Sequence, residues 1–280
     1  MSNLIQNKKI LEKYNKSPKK SLGQNFLINP DILKKTSLIC GGDCVLEIGP
    51  GTGALTRELC ELYKKVVAVE IDKSFEPILN DTVGEFDNLK IIFDDILKID
   101  LQDIIKHEFS GFDKISVCAN LPYYITTPIM LKLIKSGINF DGITVMIQKE
   151  AADKFCSKAG DKNYNATAAI ISYYGEVKKM FNVPKSSFEP QPNVLSTVVK
   201  ITPYQTPLVN PKDKDLMFKV IDAAFEQRRK TLANALAPGL NLEKEEILNV
   251  VKKITGDINI RGEELDIKAF SDISDLICEI

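Results

Sequence analysis

The chain has 280 residues, 44% hydrophobic and 27% charged, which is enough apolar material for a sizeable α/β domain plus a smaller one and excludes a disordered polymer. No apolar run approaches the ~20 residues that span a bilayer, and residues 1–20 are polar and lysine-rich rather than a secretory leader, so a cytoplasmic protein without membrane contact is expected. The formal net charge of −1 gives no global argument for a polyanionic partner, and a single histidine, His107, removes most chemistry built on an imidazole base.

Charge is nevertheless uneven. The N-terminal extension, residues 1–20, carries Lys8, Lys9, Lys13, Lys16, Lys19 and Lys20 against Glu12 alone, whereas residues 241–280 carry ten acids and five bases. Cysteines at 40, 44, 60, 118, 156 and 278 lack the spacing and the histidines of a zinc site, so they read as reduced, mostly core thiols and no metal is expected.

From Asp43 onward short β-branched runs alternate with helical patterns, the mark of a parallel sheet wound with helices. The predicted strands are Cys44 to Ile48, Val66 to Ile71, Leu89 to Phe93, Ile115 to Ala119 and Gly142 to Ile147. Helices fit at Gly53 to Tyr63, Ser74 to Thr82, Thr127 to Lys135 and Lys149 to Cys156, with a surface helix at Leu101 to Phe109 that holds His107. Two further strands are predicted at Ala168 to Tyr174 and Val194 to Ile201, with an optional one at Val177 to Val183.

Pro203 to Lys214 contains three prolines and reads as a linker, because proline removes ladder and helix hydrogen bonds. Beyond it the pattern is purely helical, at Asp215 to Glu226, Thr231 to Leu236, Lys244 to Lys252 and Ile267 to Cys278. The expected organisation is a sheet domain over residues 1–205 and a small all-helical domain over 206–280.

The first strand runs into Gly49-Pro50-Gly51-Thr52-Gly53 and then a helix, so glycines occupy the strand-to-helix turn, where a side chain would block close approach of a ligand. Glu47 stands two positions before the first glycine, and Glu70 ends the next strand, where a carboxylate can accept both hydroxyls of a ribose. A dinucleotide needs its pyrophosphate on the helix N-terminus, where an acid just before the turn is unhelpful. Glu47 therefore favours a cationic cofactor without phosphate, a description that S-adenosylmethionine meets. Asp95, after the third strand, is placed to accept from the adenine amine, with Ile71 and Ile96 as apolar neighbours of the ring. The fold class that follows is α/β, a Rossmann-like class I methyltransferase sheet with helices on both faces, plus the helical C-terminal domain.

The fourth strand ends in Asn120-Leu121-Pro122-Tyr123-Tyr124, at the carboxyl edge where ligands of open α/β sheets collect. The N6 lone pair of adenine is delocalised into its ring, so the amine is a poor nucleophile until acceptors draw its hydrogens out of that plane. The Asn120 side-chain oxygen and the Leu121 carbonyl can supply two acceptors, converging because Pro122 restricts the backbone around it. Tyr123 can stack on a base that has left its own stack. No strong base is needed, since the methylated nitrogen releases its proton to solvent.

With these motifs in order, the chain resembles the ribosomal RNA small-subunit adenine dimethyltransferases, the bacterial kasugamycin-sensitivity enzyme and its relatives. The resemblance runs from about Lys19 to Leu265 and includes Lys20-Ser21-Leu22-Gly23-Gln24-Asn25-Phe26-Leu27, Glu47 to Gly53, Asn120 to Tyr123 and Gln148-Lys149-Glu150. It continues through Val183-Pro184, Phe188-Glu189-Pro190-Gln191-Pro192-Asn193-Val194 and Ala224 to Leu232. It implies that Asn25 and Leu27 touch the cofactor alongside Gly49, Gly51, Glu70, Asp95 and Asn120, and that Phe188 faces Tyr123 across the target base. The implied reaction places two methyls on N6 of each of two adjacent adenosines in a hairpin near the 3′ end of small-subunit (16S) ribosomal RNA, within a pre-30S particle and by a monomer. Two departures from the family pattern stand out: Asn165-Ala166-Thr167 where a glycine is usual, with Asn expected to accept the positive φ of that turn, and Gly262 where alanine is usual.

Lys19 and Lys20, together with Arg228, Arg229 and Lys230 at a helix end, are the expected phosphate contacts, although bases there also suit the helix dipole. Three other readings compete. A large-subunit ribosomal RNA dimethyltransferase conferring macrolide resistance would be strongly basic, with isoleucine in place of Leu121; the pI near 6.0 argues against it. A ribosome-assembly factor with little catalysis is disfavoured by Glu70, Asp95 and Asn120, and a nicotinamide dehydrogenase by Glu47 and the Asn120 to Tyr123 run.

Overall fold

The computed structural model describes residues 9–18 and 23–280. They form two compact units, one holding the chain through Ala152 with Lys178–Pro203, the other Asp153–Val177 with Tyr204–Ile280. This differs from a single cut after residue 205: the second unit also takes in 153–177, a stretch assigned from sequence to the sheet domain.

In the first unit the strands are β1 (Phe26–Leu27), β2 (Cys44–Ile48), β3 (Lys65–Glu70), β4 (Leu89–Phe93), β5 (Ile115–Asn120), β6 (Gly142–Gln148), β7 (Gly175–Val183, entering from the second unit), β8 (Phe188–Glu189) and β9 (Ser196–Pro203). Seven of them make one sheet in the order β4-β3-β2-β5-β6-β9-β7. β2 pairs in parallel with both β3 and β5, β3 with β4 and β5 with β6, whereas β9 runs antiparallel to β6. Every residue of β2 is buried, as are the first five of β5, which a strand achieves only with cover on both faces. Helices Ala54–Leu62 and Pro30–Leu38 supply part of that cover: Leu33, Leu55, Leu59 and Cys60 join Val45, Val66, Cys118 and Met146 in one core cluster. Strand order reverses between β2 and β5, so the crevice beyond their carboxyl ends is where such a fold collects ligands.

The helix Pro30–Leu38 escaped the sequence reading, although its start is marked: Asn29 Oδ1 accepts from the amides of Asp31 and Ile32, and Pro30 follows it. The β1–β8 ribbon, two residues on each side, is too short for any period to show.

In the second unit the helices are Ala166–Tyr174, Lys214–Glu226, Leu232–Leu240, Lys244–Thr255 and Ile267–Ile277. The first corrects an expected strand. Its run ATAAIISYY is rich in helix-favouring alanine, and four consecutive residues, Ala168 to Ile171, are buried, so no surface period distinguishes it from a buried strand. Asn165, expected at positive φ, is extended at φ −156° and caps the helix through a bond from the Ala168 amide. Aromatic contacts tie the helices together: Tyr173 to Phe218 at 5.5 Å, Tyr164 to Phe225 at 5.4 Å and Phe225 to Phe270 at 6.1 Å. Gly262 explains itself, since a Cβ there would stand 2.9 Å from the Ala224 methyl. Cys40, Cys44, Cys60 and Cys118 are buried, while Cys278 is exposed.

Candidate active site

The carboxyl ends of β2, β3 and β5 open onto one cleft of about 1050 Å³, mouth included. Thirteen residues singled out from sequence line it: Asn25, Leu27, Glu47, Gly49, Gly51, Glu70, Ile71, Asp95, Ile96, Asn120, Leu121, Pro122 and Tyr123. Sequence spacing brings the glycine turn, Glu70, Asp95 and Asn120 to one place, because each ends or follows one of the neighbouring parallel strands β2, β3, β4 and β5.

The glycine turn is shaped by its surroundings as well as by φ. Gly49 (φ +72°) has nothing among the described residues within 4 Å of where a Cβ would be, so the space beside it can take a ligand. Gly51 (φ +56°) lies against the Phe26 ring, 3.1 Å from its would-be Cβ. Gly53 (φ +83°) begins the helix Ala54–Leu62. Glu70 holds the turn from below: Oε2 accepts from the Gly51 amide at 3.1 Å and Oε1 from the Asp72 amide at 2.9 Å. Each oxygen keeps a further lone pair for a ligand hydroxyl. Burial raises the Glu70 carboxyl above its ordinary value, against the pull of the Asp72 and Gly51 amides.

Glu47 is 1% exposed, and its Oε2 has no hydrogen-bond partner among the described residues. Burial pushes its carboxyl up to about 8, and the nearby Glu70 adds to the effect. A buried carboxyl with one oxygen lacking a partner, on the lining of a cleft, is suited to a cationic ligand, which would draw it to the charged form.

Asp95 accepts from the Leu97 amide at 2.9 Å through Oδ1, and its Oδ2 stands 3.8 Å from Lys98 Nζ. Ile96 is buried and Ile71 exposed, two apolar walls of the same cleft. Asp94 lines it too and was missed, there being no sequence signal to separate it from its neighbour.

Asn120 closes β5, and its Nδ2 donates to the main-chain carbonyl of Asn25 at 3.1 Å. With the donor end of the amide committed, Oδ1 is the end left to accept. The Asn25 side chain turns back to donate to the Gly23 carbonyl at 3.1 Å. Leu121 is buried and its amide donates to the Met146 carbonyl, which fixes the chain beyond Asn120. Pro122 begins a tight turn, Tyr123–Ile125, and its carbonyl accepts from the Ile125 amide. The half-buried Tyr123 shares a 2.7 Å hydrogen bond between its hydroxyl and Ser196 Oγ, and burial raises its pKa.

Phe188 corrects an expectation. It is 1% exposed, does not line the cleft, and packs with Leu27, Leu33 and Val198 in the core, because the β1–β8 pairing sets it opposite Leu27. It supports the ribbon that carries Asn25 and Leu27 and presents no open face for stacking. His107 lies in the last turn of helix Leu101–Glu108, away from the cleft lining.

Lys19 and Lys20 lie outside the described residues. Arg228, Arg229 and Lys230 are exposed, in the second unit and just past helix Lys214–Glu226. Arg228 is tied down there, its Nε donating to Glu263 at 2.5 Å and an Nη to the Lys162 carbonyl at 2.6 Å.

Curated relatives match this chain in sequence along nearly its whole length. A ribosomal RNA small subunit methyltransferase A of Lachnoclostridium phytofermentans is 45% identical over 96% of this chain and 95% of its own, and the protein of that name from Bacillus licheniformis is 43% identical over 99% and 97%. Among solved structures, a dimethyladenosine transferase from Plasmodium falciparum superposes with a TM-score of 0.70 at 28% identity, covering 88% of this chain and 94% of that one. The 23S rRNA methyltransferase ErmE shares the fold, with a TM-score of 0.66 at 18% identity over 91% of this chain and 100% of the other. Residues 15–277 match the family model for ribosomal RNA adenine dimethylase, and the chain belongs to that family.

Proposed function

We propose that this protein transfers methyl groups from S-adenosylmethionine to N6 of two adjacent adenosines in a hairpin near the 3′ end of small-subunit ribosomal RNA, giving N6-dimethyladenosines during small-subunit assembly. The observation that carries the reading is the Asn120 amide, pinned through its nitrogen by the Asn25 carbonyl at the edge of the cleft that the glycine turn and Glu70 floor. The small-subunit assignment follows the names of relatives that are 43–45% identical over almost the full chain. The reaction is placed in the cytoplasm, on a pre-30S particle, with the chain as a monomer.

The donor fits the residues present: Glu47 offers a cation a buried carboxyl whose Oε2 lacks a partner among the described residues, Gly49 leaves room, Glu70 can take ribose hydroxyls and Asp95 an adenine amine. When bound, S-adenosylmethionine supplies a methyl group on a positively charged sulfur. The chain's part is positioning. In the first transfer Asn120 Oδ1 and the Leu121 carbonyl accept hydrogen bonds from the two N6 hydrogens, drawing the amine out of conjugation and aiming its lone pair; in the second, one of these oxygens accepts from the single hydrogen that remains. Tyr123, held by Ser196, walls the base. The nitrogen, once methylated, gives its proton to water, so no side chain needs to act as a strong base.

Phosphate contacts are assigned to Arg229 and Lys230, with Lys19 and Lys20 in the N-terminal extension. The test is incubation of the protein with methyl-labelled donor and unmodified small subunits, followed by nucleoside analysis. Labelled N6-dimethyladenosine is expected, and Asn120→Ala should remove it; label in another nucleoside, or full yield from Asn120→Ala, would overturn the reading.

A further inference from the structure

Among the large exposed side chains of the described residues, Tyr124 is the one aromatic, with 56% of its surface open. It lines the mouth of the cleft and follows Tyr123 in the same tight turn. The two rings have opposite surroundings. Tyr123 is half-buried and tethered by Ser196, whereas Tyr124 lies outward on the main chain of Gly23, where a Cβ would come 3.2 Å from its Cδ1 and 3.4 Å from its Cε1. Gly23 adopts φ +57°, and its carbonyl accepts from the Asn25 side chain. The segment that orients Asn120 therefore also seats the Tyr124 ring, which keeps 56% of its surface open.

Exposing an aromatic ring without function forgoes its burial, about 25 cal/mol for each Å² left in water. At this place the ring has a natural occupant. A base extruded toward Asn120 leaves its neighbour in the strand without a stacking partner, and Tyr124 lines the mouth through which that base enters. An open aromatic face takes any base by π-stacking.

Resting on the reading above, we propose that Tyr124 is the platform for the nucleobase next to the adenine being methylated, so that the mouth of the cleft holds two consecutive nucleotides. It is a substrate-positioning residue that engages RNA and leaves the donor site untouched. A tethered neighbour would keep the RNA in register while a second adenosine is brought into the cleft.

The experiment uses the full chain and a small-subunit hairpin RNA in which 2-aminopurine replaces the nucleotide on each side of the target adenosine in turn. Steady-state methylation and donor affinity are measured for the wild type, Tyr124→Phe, Tyr124→Leu and Tyr124→Ala, and thermal melting checks that each variant folds. Expected for Tyr124→Ala is a KM for RNA raised about tenfold or more, a donor Kd within twofold of wild type, and brighter 2-aminopurine in the complex at one flanking position. Tyr124→Phe should behave as wild type and Tyr124→Leu as the alanine variant, since the leucine keeps apolar bulk without a π-face. Unchanged KM and unchanged fluorescence in both Tyr124→Ala and Tyr124→Leu would overturn the platform while leaving the methyl-transfer reading intact. A wild-type protein that binds donor but methylates no adenosine of the hairpin or of the subunit would overturn both.

Discussion

Asn120 Nδ2 donates to the main-chain carbonyl of Asn25 across 95 residues of sequence, and this bond decides which end of the amide is free. An isolated asparagine could present either end. Here the Asn25 carbonyl, one residue before β1, takes the amide nitrogen and leaves Oδ1 as the acceptor, the preorganisation that such catalysis requires.

Asn120→Asp tests this directly. The carboxylate has no donor for the Asn25 carbonyl and would turn away from it, losing the aimed acceptor although an oxygen remains. Turnover with saturating donor and RNA should fall by about 100-fold or more, with donor affinity changed far less. A turnover within threefold of wild type would mean that the pinning is incidental.

Glu70→Ala removes the acceptor of both the Gly51 and Asp72 amides. Each stranded amide costs about 1–3 kcal/mol, so a lower melting temperature is expected together with loss of donor binding by calorimetry. Glu70→Gln can keep one of the two bonds and should fall between.

Glu47 sets a pH dependence. Its folded-state carboxyl stands near 8, above the unfolded value of 4.5, so between those values the folded state holds the extra proton. Stability of the ligand-free protein should be greatest below about pH 4.5 as far as this group is concerned, and its contribution is lost as pH rises toward 8. Glu47→Gln should flatten the melting temperature against pH over that window and raise it near pH 8. An identical slope in the variant would assign the dependence to other groups.

The two glycines of the turn separate shape from room. Gly51→Ala meets the Phe26 ring at 3.1 Å in a left-handed backbone, so it should lower stability by about 1–3 kcal/mol and weaken the donor as well. Gly49→Ala strains the backbone alone, about 1–2 kcal/mol, but puts a methyl into space left for ligand. Its donor affinity should drop by more than its stability explains, as isothermal titration beside thermal melts would show.

Arg228 differs from its neighbours. Arg228→Ala breaks the bonds to Glu263 and to the Lys162 carbonyl within the helical unit and should lower its stability. Arg229→Ala with Lys230→Ala should leave the melt alone, weaken RNA binding and make its log–log salt dependence shallower by about one to two. An unchanged salt slope would remove the pair from the interface.

The sequence by itself determined the parallel strands β2 to β6, the glycine turn and the acids and Asn120 at strand ends, because burial on both faces and the turn's demand for positive φ leave a readable local pattern. Only the tertiary structure decided the rest. Ala166–Tyr174 is a helix among helices, since an apolar run buried all round carries no period. Phe188 is core because a two-residue ribbon sets it opposite Leu27, and Asn120 has one orientation because Asn25 reaches it; both depend on pairings between segments far apart in the chain, which no local spacing encodes.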